Sequence, residues 1–279
     1  MHRTFHLCSL VALLLGLHAS RANAISRIDP VSPQIVGGRI AAQGVWKWQA
    51  LLKWINSFRC GGTLIQDEWV LTAAHCVYLS EGVLLPVTEL NVTLGEYDRT
   101  QIDSTARQVA RVRSMFVHPG YKGICCANDI ALLRLERGVT LNSAVATIPL
   151  HTNQFELIVG MKGTTTGWGQ TASNQSTSNL LREVELTVTH NDSHYSYFLT
   201  SGEGAVCFGD SGGPFVVNHK GAWLLAGVTS FGGCNPGGGF TRVSSHADWI
   251  VATLDANKPI DPNTLIYKTF LAVIGSAQP

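Results

Sequence analysis

Net charge is nearly absent from this chain. Lysine and arginine total 20 against 19 aspartate and glutamate, which leaves +1. No basic surplus is available to hold nucleic acid or an anionic membrane. Charged residues make up only 14% against 45% hydrophobic, which excludes wholesale disorder and leaves a sizeable core to bury. Long apolar runs are also missing. The stretches Leu7 to Leu17 and Leu265 to Ile274 both fall short of the roughly 20 residues a bilayer span needs. Neither Cys-x-x-Cys nor a His/Cys ligand spacing occurs, so no zinc or other metal site is expected, and no cofactor. No internal repeat is evident.

What is present reads as an all-β protein. The 279 residues suit one large β unit with extras, and 28 glycines suit many turns. Short apolar runs begin at Gln49, Gly62, Trp69, Asn91, Ala110, Ile130, Gly163, Glu183, Pro214, Trp223 and Gly239. Gly, Asn and Asp turns separate them, without intervening helical patterns, which points to a sandwich or barrel. One helix is expected near the end, where Ala247, Ile250, Val251 and Leu254 recur at helical spacing ahead of Pro259.

The start resembles a secretory signal over residues 1–24: a basic pair, an apolar run, then Ala22-Asn23-Ala24 as a cleavage site. Residues 25–34 look like a propeptide, 35–257 the main body, and 258–279 a tail. Secretion to the extracellular space, or to a bacterial periplasm, follows as an expectation. Removing Cys8 with the signal leaves Cys60, Cys76, Cys125, Cys126, Cys207 and Cys234, an even set that reads as a disulfide framework. The neighbours Cys125 and Cys126 could be bonded to each other, free, or shared with a second chain.

Three segments carry chemistry. Leu71-Thr72-Ala73-Ala74-His75-Cys76 supplies a histidine, Asn128-Asp129-Ile130 an aspartate, and Gly209-Asp210-Ser211-Gly212-Gly213-Pro214 a serine. A serine hydroxyl is a poor nucleophile at neutral pH unless a base lies within hydrogen-bond reach and a third group orients that base. These segments, in the chain order His, Asp, Ser, resemble the chymotrypsin/trypsin family of serine endopeptidases.

The resemblance runs from Ile35 to about Asn257. It implies two six-stranded antiparallel Greek-key β-barrels with a C-terminal helix and an active site between them. It makes His75, Asp129 and Ser211 the catalytic triad and the amides of Gly209 and Ser211 the oxyanion hole. It also implies that cleavage before Ile35 frees an amino group to pair with Asp210. Disulfides Cys60–Cys76 and Cys207–Cys234 are implied as well. Ala205 falls at the pocket floor, Gly232 and Gly238 at its gate, and Ser230, Phe231 and Gly232 along the substrate backbone. With no charge or side chain there, an open apolar pocket taking Phe, Tyr, Leu or Met is expected. The implied partners are protein or peptide substrates, proteinaceous inhibitors and an activating protease.

The chain departs from the family pattern in two places. Gln34, not Arg or Lys, precedes Ile35, so a trypsin-like activator should not cut there. The stretch between Val188 and Cys207 is short and lacks the usual disulfide loop. Both keep open the alternative of an inactive protease homologue that acts as a binding protein. Of the other acidic residues, Glu96, Asp98 and Asp103 are spaced for a calcium loop but read as exposed surface carboxylates. His118, His151, His190 and His219 read as surface or packing residues.

Overall fold

The computed structural model describes residues 36–80, 82–101, 105–123, 127–152, 156–192 and 194–258. The signal-like start, the propeptide, Ile35, Asp103, Cys125, Cys126 and all but the first residue of the tail lie outside these. In chain order the strands of the first half are β1 (Arg39–Ile40), β2 (Gln49–Trp54), β3 (Ser57–Gln66), β4 (Trp69–Thr72), β5 (Tyr78–Ser80), β6 (Val83–Leu84), β7 (Leu90–Leu94), β8 (Gln108–Val117) and β9 (Ala131–Leu135). The second half gives β10 (Lys162–Gly167), β11 (Arg182–His190), β12 (Tyr197–Ser201), β13 (Pro214–His219), β14 (Ala222–Phe231) and β15 (Gly238–Arg242), then helix α1 (Ala247–Ala256).

Two antiparallel barrels result. The first closes in the order β2-β3-β4-β9-β8-β7. The second runs β11-β10-β13-β14-β15-β12 and closes through the β11–β12 pairing, with β1 added outside on β11. Counted from its own first strand, each barrel has the same cyclic order, 1-2-3-6-5-4. The likeness between the halves is therefore one of topology, which explains why no repeat is visible in the residues.

The expected elements are present with ends moved by one to a few residues, as at α1. Strand β12 lies inside the short stretch before Cys207. That stretch therefore still supplies the strand that closes the second barrel. It went unread because Tyr197–Ser201 is brief and mixes polar with apolar residues. A two-stranded hairpin, β5 with β6, was likewise unread.

Each barrel is filled by its own side chains. In the second, Phe198, Phe215 and Phe240 are fully buried with ring centroids 4.8–5.4 Å apart. The space for them comes partly from Gly227, where a Cβ would lie 2.7 Å from the Phe198 ring. In the first barrel Leu51, Leu52, Leu64, Leu71, Leu94 and Leu133 are sealed from solvent. Phe215→Ala should therefore cost about 3–5 kcal/mol of stability by leaving a cavity among aromatic rings. Denaturant titration should find a lower midpoint with an unchanged slope. A midpoint that does not move would contradict this packing.

Candidate active site

The strand pairing itself brings His75 and Asp129 together. In the antiparallel pair of β4 and β9, Thr72 lies opposite Ala131. The residues just after β4 therefore meet those just before β9. His75 sits on a single 3₁₀ turn, Ala74–Val77, and Asp129 follows Asn128. Asn128 adopts a left-handed φ of 54°, a conformation that asparagine tolerates. Its amide N–H donates to Ser196 Oγ at 2.9 Å and its side chain donates to the Gly120 carbonyl at 3.2 Å.

Asp129 is buried and fully occupied. Its Oδ2 lies 2.7 Å from His75 Nδ1, and its Oδ1 accepts the His75 amide at 2.9 Å. Ser230 Oγ donates to Oδ2 at 2.6 Å, and Thr241 Oγ1 donates to the Asp129 carbonyl at 2.8 Å. Burial alone would raise the carboxyl's pKa. The His75 hydrogen bond and charge, the Ser230 hydroxyl and the His75 amide together outweigh it and hold the pKa below its ordinary value. Sequence reading gave Ser230 only a substrate-facing role. Its bond to Asp129 crosses from one barrel to the other, and no local pattern announces it.

Ser211 lies three residues ahead of β13, beside the end of β14. Gly212 N–H donates to the Thr229 carbonyl at 2.7 Å, and Thr229 N–H donates to Gly213 at 2.9 Å. Two successive tight turns carry the serine. Asp210 N–H bonds Cys207 O and Gly213 N–H bonds Asp210 O, each at 3.0 Å. Their third residues, Gly209 and Gly212, have φ of 101° and 76°, which side chains rarely adopt. Among the described residues, the Gly209 and Ser211 amides donate to no backbone carbonyl. Gly61 N–H donates to Ser211 O at 2.8 Å, which fastens the turn to the first barrel.

Ser211, His75, Asp129, Gly209, Ser230, Phe231 and Gly232 line one cleft of about 500 Å³, with Arg59, Cys60, Tyr121, Val206 and Phe208. Disulfides Cys60–Cys76 and Cys207–Cys234 are formed and frame it. Among the described residues one grouping has metal-ligand chemistry, Cys60, His75 and Cys76, and its sulfurs are bonded to each other.

Ala205 is fully buried, and its amide donates to the Val36 carbonyl at 2.7 Å. A Cβ at Gly232 would lie 2.6 Å from Val206 Cγ2, and one at Gly238 would lie 2.5 Å from it. The Val206 isopropyl group thus occupies the space between the two glycines. Reading the glycines alone overstated the opening. The count back from Ser211 that found Ala205 could have found Val206 one residue later.

Asp210 points away from the cleft. It is 1% exposed and accepts Gly169 N–H at 2.8 Å and Cys207 N–H at 3.0 Å. Gly167 and Gly169 leave it room: a Cβ on Gly169 would fall 2.5 Å from the carboxyl carbon. No cation pairs with it among the described residues, and burial pushes its pKa up to about 6 against the pull of the two amides. Glu96 corrects the surface reading: it is buried and paired with Arg107 at 2.9 Å. Among the histidines, His118 packs against His246 and Trp249, and His151 is buried.

With the geometry in hand, the comparisons are consistent. The sequence model of the Trypsin family matches residues 35–250, and the chain belongs to that family. It is similar to serine proteinase stubble of Drosophila melanogaster, 32% identical over 247 residues, covering 78% of this chain and 31% of that protein. It is also similar to vitamin K-dependent protein C of Mus musculus, 37% identical over 243 residues, covering 78% of this chain and 51% of that protein. The rat protein C is 35% identical over 261 residues, 82% of this chain and 55% of its own length. The chain thus spans from about a third to about half the length of these curated relatives. Among the described residues no helix is long and apolar enough to cross a membrane.

The raised pKa of Asp210 sets a testable sign. In the chain uncut before Ile35, the folded state holds this proton up to about pH 6, whereas the unfolded state releases it near 3.8. The folded state binds more protons in that window, so stability falls as pH rises from about 4 to 6, by about 3 kcal/mol from this group. Chemical denaturation across the window should give that slope, and Asp210→Asn should flatten it. An unchanged slope in the variant would remove Asp210 as its source.

Proposed function

We propose that the chain is a secreted serine endopeptidase made as a zymogen. The observation that carries this reading is the His75–Asp129 pair, 2.7 Å apart, sharing one cleft with Ser211. Ser211 Oγ attacks the scissile carbonyl as His75 Nε2 takes its proton. The carbonyl oxygen becomes an oxyanion facing the Gly209 and Ser211 amides. His75 then hands the proton to the departing amine, leaving an acyl-enzyme that water hydrolyses by the same route. Asp129 keeps the Nδ1 proton in place and stabilises the imidazolium. Each oxyanion donor is worth about 2.7–4 kcal/mol in the transition state. No metal or cofactor enters this scheme.

Activation is the second half of the proposal. Cleavage between Gln34 and Ile35 frees an α-amino group to neutralise buried Asp210. The docked Val36 carbonyl supports this, because it already ties the neighbouring residue to Ala205. The cut needs a protease that accepts Pro-Gln, not a trypsin-like one. Protein substrates and proteinaceous inhibitors are the partners that fit such a cleft, and residues 1–24 are the reason to propose secretion.

The cleft favours apolar residues before the scissile bond. Ala205 offers no charge, and Val206 shortens the space between Gly232 and Gly238. Within the apolar class, Leu, Met and Val are proposed ahead of Phe and Tyr. The outer edge of Ser230 to Gly232 pairs with the substrate backbone as an added strand.

Protein engineered to begin at Ile35 should label with a fluorophosphonate, and Ser211→Ala should abolish the label. Well-folded protein that does not label would favour the rival, a homologue that binds partners without cutting them. In a peptide library, Val206→Gly should raise kcat/KM for Phe relative to Leu by about tenfold, a change of one or two methylenes' worth of fit. An unaltered ratio would remove Val206 from the pocket.

A further inference from the structure

Arg59 lies in the cleft and takes no part in the scheme above. It stands on β3 two residues before Gly61, whose amide holds the Ser211 carbonyl. It occupies a bulge of β3, where Leu52 pairs with Cys60 and Lys53 with Phe58, and it lines the cleft with His75 and Ser211. Its Nε donates to the Cys76 carbonyl at 2.5 Å and its Nη2 donates to the Tyr78 carbonyl. These two anchors fix the guanidinium plane and leave three of its five N–H donors. Both partners are neutral.

The charge of Arg59 is not balanced within the described residues. No carboxylate there forms an ion pair with it, and burial lowers its pKa with no acidic side chain opposing. Its Cζ lies 5.8 Å from the Trp54 ring centroid, a neutral contact that supplies no counter-ion. Arg99, 4.4 Å over the Phe58 ring, differs in that Glu96 offsets part of its burial. A half-buried cation without a counter-ion is costly, and an incoming anion relieves that cost.

Its place relative to the scissile bond follows from the walls. The acyl part of a substrate lies towards Val206 and the Ser230–Gly232 edge, all from the second barrel. Arg59 comes from the first barrel and lines the opposite side of the cleft beside Cys60, held to the Cys76 and Tyr78 carbonyls, while the neighbouring Phe58 ring packs at Gly209. The chain leaving the acyl-enzyme must cross this wall.

We propose that Arg59 determines specificity on the leaving-group side, selecting an Asp or Glu carboxylate within the first two residues after the scissile bond. This rests on the endopeptidase reading. The carboxylate binds the free N–H donors of a fork already set by Cys76 and Tyr78, in the geometry that favours paired hydrogen bonds.

The test uses quenched-fluorescent peptides identical before the scissile bond and carrying Glu, Gln or Lys at either of the two positions after it. Protein beginning at Ile35 should prefer Glu over Gln by about threefold to fivefold in kcat/KM, the upper part of the range for a partly exposed ion pair. The preference should shrink as salt rises from about 0.05 to 0.5 M. In Arg59→Gln the Glu/Gln ratio should fall to about one, while Arg59→Lys should keep part of it. The ratio is taken within each variant, so a general loss of stability cancels. An equal ratio in wild type and Arg59→Gln, or no preference in wild type, overturns the inference. Fluorophosphonate labelling on the same samples separates the two failures. Labelled protein indifferent to the charge strikes this inference alone, and unlabelled protein strikes the endopeptidase reading with it.

Discussion

The structure turns on a carboxylate buried at the seam of two barrels. Placing the Asp129 charge there is tolerable only because its neighbours are complete. His75 supplies a ring nitrogen and an amide from the first barrel, Ser230 supplies a hydroxyl from the second, and Thr241 of the second barrel holds the Asp129 backbone carbonyl. A buried charge that loses a partner costs about 3–5 kcal/mol. The docking of the barrels and the aim of the His75 ring are therefore one constraint. A relative shift of the barrels strands the charge, and the charge in turn holds the imidazole toward the cleft that Ser211 lines.

Asp210 is the counterpart, equally buried and only partly served. Two amides reach it and, among the described residues, no cation does, and the two carboxylates accordingly move in opposite directions, Asp129 below its ordinary pKa and Asp210 up to about 6. Asp129 is thus fully partnered, while Asp210 is held by two amides, the state in which the activation proposed above would find it. The glycine turn that bears Ser211 lies directly after the unfinished carboxylate. In the activation proposed above, neutralising Asp210 would reach the amides of Gly209 and Ser211 through these few residues of backbone.

His75, Asp129 and Ser211 stood out in the sequence because each sits in a contiguous motif whose flanking residues are needed for the local turn. Gly209 and Gly212 are glycines because their φ is positive, and Cys76 adjoins His75 because the disulfide pins that turn. The barrels were legible as short strands between turns, but their shared winding order was not, since it is carried by pairing and not by repeated residues. Strand β12 was hidden by its brevity and mixed polarity. Val206, the Ser230–Asp129 bond and the position of Arg59 share one reason for escaping notice. Each depends on which segments distant in the chain meet in the fold, and nothing adjacent in the chain records that.

The measurement that bears most directly on this account is the acylation burst with a p-nitrophenyl ester, using protein that begins at Ile35. The account predicts a burst equal in amount to the protein present. It also predicts that Asp129→Asn slows the burst by about 10⁴-fold, the loss known for this substitution in the family's type enzymes, while the fold is retained. A wild-type protein that is folded and gives no burst would contradict it, as would a variant lacking the Asp129 charge that acylates at the wild-type rate.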